Sequence, residues 1–132
     1  MNAKINIIPF NPDDLQPCSY DLHLGFELRE YIPPFTLNAP NTYLDPRDPY
    51  PYSTRLISLK DDAFILNKGA SVLAVTKEII GVPPDLLGRV DGKSSLARLL
   101  LQVHTSSGFV DPGWNGRLTL ELTNHNVWGI RL

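Results

Sequence analysis

The sequence predicts a mostly β fold with one short helix. Twelve prolines and nine glycines cut the 132 residues into short pieces, as expected for many short strands joined by turns. Where apolar residues recur they do so at a spacing of two, the period of a strand with one buried face. A single stretch, Ser94 to Leu99, has the composition of a helix.

The elements follow in chain order. Tyr20-Asp21-Leu22-His23-Leu24 alternates and predicts a strand. From Ile32 to about Ser53 the chain is rich in Pro, Asn and Tyr without any period, including Ile32-Pro33-Pro34 and Asp45-Pro46-Arg47-Asp48-Pro49. An irregular excursion of this length is a functional or interaction arm, or a surface loop packed by its own tyrosines. Ser71-Val72-Leu73-Ala74-Val75-Thr76 is rich in β-formers and predicts a second strand. Ser94 to Leu99 predicts the helix, with Ser94 or its neighbour available as N-cap. Arg117 to Thr123 predicts a third strand, with Leu118, Leu120 and Leu122 on one face and Thr119, Glu121 and Thr123 on the other.

Bulk composition bounds the function. A hydrophobic share of 42% and a charged share of 20% are those of an ordinary globular domain. A net charge of -2 supplies no general basic field, so nucleic acid is not an expected partner and any phosphate recognition must be local. Cys18 is the single cysteine, which excludes a disulfide framework; it reads as a small buried thiol. No stretch resembles a signal peptide or a membrane span, so no membrane partner and a cytoplasmic location are expected.

Chemistry-bearing residues concentrate late in the chain. Gly92-Lys93-Ser94-Ser95-Leu96-Ala97-Arg98 combines hydroxyls, cations and a helix start, a setting suited to an anion, or a capped helix with solvated cations. Arg98 lies one turn after Ser94, on the same helix face. Glu121 stands between threonines on the polar face of a leucine-rich strand, either as a solvated glutamate or as an acid–base group with hydroxyl partners. Asp111 precedes Pro112-Gly113, as turn residues do. Two carboxylates in such different settings can take different protonation roles. Trp114 reads as a core or interface residue or as a platform for a ring, and His104 as a satisfied structural histidine.

In this order and spacing, three groups of motifs closely resemble the dCTP deaminase family of the trimeric dUTPase-like superfamily. They are Gly92 to Arg98, then Val103-His104, then Val110-Asp111-Pro112-Gly113-Trp114 with Leu120-Glu121. Upstream, Gln16-Pro17-Cys18-Ser19-Tyr20-Asp21-Leu22-His23-Leu24-Gly25 is similar to the family's Gln-Pro-x-Ser-x-Asp-Leu-Arg-Leu-Gly segment. The resemblance implies a distorted β-barrel or jelly roll assembled as a homotrimer. It implies zinc-independent conversion of dCTP to dUTP and ammonia; a bifunctional form continuing to dUMP and pyrophosphate, or a catalytically silent nucleotide-binding homologue, are the alternatives. Zinc nucleobase deaminases need a Cys pair and a His-x-Glu, whereas this chain has one cysteine and three scattered histidines. No zinc is expected, and Mg²⁺ is expected only through the nucleotide triphosphate.

The same resemblance assigns roles. Glu121 is implied as the group that takes a proton from water and delivers it to the pyrimidine. Lys93 and Ser95 are implied on the triphosphate, and Ser94 and Arg98 beside the water and the glutamate. Ser107 stands where the family usually has Ala, whose carbonyl meets the attacking water; a serine offers the same carbonyl and adds a hydroxyl. Asp111 is implied on the deoxyribose of dCTP or dUTP, while Leu96, Ala97, Thr119 and Leu120 complete the substrate contacts. Residues 1–132 read as one dUTPase-like domain that lacks the family's C-terminal strand and tail.

Overall fold

A computed structural model describes residues 4–33, 45, 47, 54–60 and 63–132. The irregular excursion from Ile32 to Ser53 lies mostly outside these residues. Its described part includes Asp45, whose carboxyl is held below the usual range by the Arg47 side chain and N–H beside it.

Strands dominate, as the sequence predicts. They are β1 (Asn6–Ile8), β2 (Leu24–Tyr31), β3 (Thr54–Ser58), β4 (Ile65–Leu66), β5 (Ser71–Thr76), β6 (Ile79–Gly81) and β7 (Gly88–Arg89). After helix α1 (Ser94–Ala97) come β8 (Leu101–Gln102), β9 (Phe109–Val110), β10 (Asn115–Gly116), β11 (Thr119–Asn124) and β12 (Ile130–Arg131). The main sheet has the order β3-β2-β5-β11-β8, with every neighbouring pair antiparallel. A three-stranded sheet, β1-β6-β10, and the pairs β12-β4 and β7-β9 complete the ladders of the described residues. These ladders do not themselves run round into a closed barrel.

Two apolar clusters hold the layers. Leu28, Leu66, Val72, Ala74, Leu101 and Leu122 form one, joining the main sheet to β4. Ile80, Val82, Val110 and Leu118 form the other. The expected alternation holds: Leu118 and Leu122 are buried and Leu120 packs against the first cluster, while Thr119, Glu121 and Thr123 face the other way. Asn124 is fully buried (0% exposed) yet satisfied, because its Nδ2 donates to Leu66 O and Trp128 O and its Oδ1 accepts from the Asn126 N–H, each at 2.8 Å.

Four local expectations are corrected. The strand expected over Tyr20–Leu24 begins only at Leu24, because the groups before it are bonded elsewhere. Asp21 N–H donates to Asp14 O, His23 N–H to the Glu78 carboxylate, and Lys77 N–H to His23 O. Within β2 the register slips between Leu24 and Leu28, and a Cβ at Gly25 would lie 2.9 Å from Val75 O, so the close approach needs glycine. Helix α1 is two residues shorter than expected and is followed by Leu100 at φ +57, where it cannot continue. Its N-cap is Lys93, which makes no side-chain cap bond. Cys18 is exposed, in the turn closed by Gln16 N–H donating to Ser19 O.

Since Leu122 packs among Leu28, Val72 and Leu101, Leu122→Ala should lower unfolding free energy by about 2–5 kcal/mol. Urea denaturation followed by circular dichroism measures this, with the midpoint falling at an unchanged slope.

Candidate active site

Glu121 sits in the middle of β11, opposite Leu73 of β5. On the other edge Thr123 faces Gln102 and Asn124 faces Leu101. Continued two residues further, that register would set Glu121 opposite His104. Instead the Glu121 N–H donates to Val103 O at 3.0 Å, and the chain turns so that the Thr105 N–H donates to Glu121 Oε2 at 2.7 Å. This is a charge-assisted bond from a backbone donor, which fixes the carboxylate more firmly than a mobile side chain would. Oε1 makes no hydrogen bond among the described residues.

The carboxylate borders an open groove of about 360 Å³ lined by Tyr31, Ser71, Val72, Leu73, Thr105, Ser106, Glu121 and Thr123. That volume lies near the lower end of the roughly 300–1,000 Å³ typical of small-molecule sites. The flanking threonines do not bond Glu121 as the strand pattern suggested: Thr123 Oγ1 shares a 2.8 Å hydrogen bond with Ser71 Oγ across the β11–β5 pair. An acceptor oxygen facing a hydroxyl-lined groove can take a proton from a water or a ligand.

Of the sequence-predicted residues, only Glu121 lines this groove. Thr119 is exposed and Leu120 half-buried; Ser107 is exposed, next to the lining residue Ser106. Lys93, Ser94, Ser95, Leu96, Ala97 and Arg98 are all exposed around α1, away from the groove lining. Lys93 Nζ pairs with Asp21 Oδ2, while Ser94, Ser95 and Arg98 side chains make no hydrogen bond among the described residues. Asp111 is exposed in a turn closed by the Trp114 N–H on Asp111 O at 3.1 Å, with Gly113 at φ +84. Trp114 is 42% exposed and donates through Nε1 to Gly116 O, so it is not a core residue.

The loop 103–108 spans the gap between these groups. Val90 N–H donates to Gly108 O at 2.7 Å, so the loop's far end is fastened to the segment leading into Lys93. The His104 ring lies beneath Gly108, where a Cβ would come within 3.0 Å of Cε1. His104 Nδ1 is buried without a partner among the described residues, so the histidine is packed but not satisfied as expected. Tyr31, Ser71, Leu73, Thr105, Ser106 and Thr123 were not legible as site residues. Only the neighbourhood of Ser107 pointed toward two of them.

Residues 1–132 match the family model of dCTP deaminase-like proteins. The chain belongs to that family. It is 45% identical over 124 residues to a protein of Corynebacterium kroppenstedtii named dCTP deaminase, dUMP-forming, an alignment covering 93% of this chain and 64% of that protein. A protein of the same name from Acidothermus cellulolyticus is 42% identical over 132 residues, covering 99% of this chain and 66% of the relative. The chain thus spans about two thirds of the length of the curated relatives it matches. Its fold resembles the crystal structure of 2'-deoxycytidine 5'-triphosphate deaminase from Agrobacterium tumefaciens, with a TM-score of 0.72 at 21% identity over 98% of this chain and 38% of that one. The mostly β architecture with one short helix expected from the sequence is therefore the observed one. Among the described residues no helix is long and apolar enough to cross a membrane.

If the Glu121 carboxylate fixes the loop, the Thr105 amide should exchange slowly with solvent. Glu121→Ala should speed its exchange by about tenfold or more, since a hydrogen bond to a charged group contributes roughly 1.5–3 kcal/mol. Amide exchange followed by NMR reads this directly.

Proposed function

We propose that this chain carries the deaminase chemistry of its family, acting on dCTP, and that its product is dUMP rather than the dUTP expected first from sequence. The observation that carries the reading is the Glu121 carboxylate, fixed by a backbone N–H and facing a groove large enough for a pyrimidine. Glu121 takes a proton from water as the oxygen adds to C4, then delivers it to the pyrimidine as ammonia leaves. Reaction at C4 therefore consumes one water and yields dUTP and ammonia. A second water attacks the α-phosphate, giving dUMP and pyrophosphate. The names of the relatives support this second step.

Other roles follow from the motifs. Lys93 and Ser95 hold the triphosphate, with Leu96 and Ala97 beside them. Ser94 and Arg98 hold the water and Glu121, and the Ser107 carbonyl meets the same water. Asp111 binds the deoxyribose and orients the water for the α-phosphate, while Trp114 packs under the sugar. Thr119 and Leu120 border the base. Within one chain the α1 group does not line the Glu121 groove, which supports a homotrimer whose site is shared between neighbouring copies. The Mg²⁺ that accompanies a triphosphate would be held by the nucleotide's own phosphate oxygens, and the proton transfers assigned to Glu121 need no zinc. A cytoplasmic location suits such a substrate.

Product analysis after incubation with dCTP and with dUTP separately tests the reading. Both should yield dUMP and pyrophosphate, and dCTP also ammonia; accumulation of dUTP would leave only the first step, and binding without turnover would indicate a silent homologue. Glu121→Gln keeps shape but removes the base, and should lower deamination by about 10³–10⁴-fold with nucleotide binding retained. Asp111→Asn should abolish pyrophosphate release from dUTP while some deamination of dCTP remains.

A further inference from the structure

Glu78, just past β5, is a carboxylate with only 2% of its surface exposed and no part in the chemistry above. Its Oε2 accepts from the His23 N–H at 3.0 Å, and its Oε1 from the His23 ring Nδ1 at 2.9 Å. His23 Nε2 lies 3.8 Å from Asp14 Oδ1, and His23 O accepts from the Lys77 N–H at 2.8 Å. Further along, Asp21 N–H donates to Asp14 O at 2.9 Å, and Asn11 N–H donates to the Tyr20 hydroxyl at 2.8 Å. The bonds within residues 11–23 hold that segment together as a strap, and those of His23 with Glu78 and Lys77 anchor it to the fold. A buried charge is retained only where partners compensate it, and here they are supplied by the strap.

The strap delivers one side chain to the other half of the molecule. Asp21 Oδ2 accepts from Gln16 Nε2 at 3.2 Å and pairs with Lys93 Nζ, 72 residues later in the chain. Lysine is a point charge on a flexible stem. Its ammonium has three donors, so a carboxylate that engages one leaves two for an anion. We propose that Asp21 is a positioning residue for Lys93: the Glu78-anchored strap holds the ammonium where it meets the triphosphate. The inference rests on the assignment of Lys93 to the triphosphate, and adds a residue and an anchor which that assignment does not contain.

Two measurements on the full chain test it. The first needs no nucleotide: limited acylation of lysines, read by mass spectrometry. Lys93 should react more slowly than exposed Lys68 and Lys77, and Asp21→Asn should raise its rate roughly twofold to fivefold, the scale of a partly exposed ion pair, with theirs unchanged. The second is dCTP kinetics. Asp21→Asn should raise KM about threefold or more while kcat shifts less than about twofold, and should have no further effect in a Lys93→Ala background. An unchanged Lys93 rate overturns the proposal. So does a KM that stays or falls, which would make Asp21 a counter-ion competing with phosphate, or one that rises equally without Lys93, which would make its role structural. If the unaltered chain neither binds nor turns over dCTP while Lys93 labelling still follows Asp21, the tether stands and the deaminase reading falls instead.

Discussion

Hydrogen bonds of its own backbone groups fix the loop 103–108, which joins the two halves of the candidate site. At one end the Thr105 N–H binds the Glu121 carboxylate and Val103 O accepts from the Glu121 N–H. At the other, Gly108 O accepts from Val90, three residues before Lys93. The His104 ring fills the space beneath Gly108, so the loop has little freedom to settle elsewhere. A carboxylate tied this way keeps one oxygen engaged and leaves the other without a hydrogen bond among the described residues. Pre-set geometry of that kind is what proton transfer requires, because the acceptor need not be ordered at the moment of reaction.

The core and the candidate site share one strand. β11 is paired on both edges, to β5 and to β8, so its two-residue alternation cannot slip without turning Leu122 out of the core and Glu121 into it. Asn124 closes the end of the strand by satisfying backbone groups of Leu66 and Trp128. The strap over residues 11–23 does the corresponding work for the cationic half, tying Asp21 and Lys93 to the buried Glu78. Each half of the candidate site is therefore fastened to the fold through a group that belongs to the core or to the backbone.

The sequence revealed what local period can encode. Ser71–Thr76 is the strand β5 to the residue, and the leucine–threonine alternation around Glu121 separates the core face from the opposite face as expected. Tyr20–Leu24 has a real alternation but no strand before Leu24, because the His23 N–H is taken by Glu78, 55 residues away. Cys18 could not be seen as exposed from its small apolar character, since a turn decided its position. The groove escaped notice for a topological reason: Tyr31, Ser71 and Glu121 meet only because β2, β5 and β11 lie side by side, an order that no local pattern contains. Thr105 escaped because it acts through a backbone N–H, which carries no side-chain signature. The Lys93–Arg98 motif was legible through family resemblance, but its separation from Glu121 within one chain was not.

On the reading proposed here the Glu121 groove and the Lys93 segment bind opposite ends of one nucleotide, a claim that amide chemical-shift mapping by NMR during titration with dCTP decides. Base and sugar should shift Leu73, Thr105, Ser106 and Glu121, and inorganic tripolyphosphate alone should shift only residues around Lys93 to Arg98. Shifts by dCTP that leave Thr105 and Glu121 unmoved would contradict the claim.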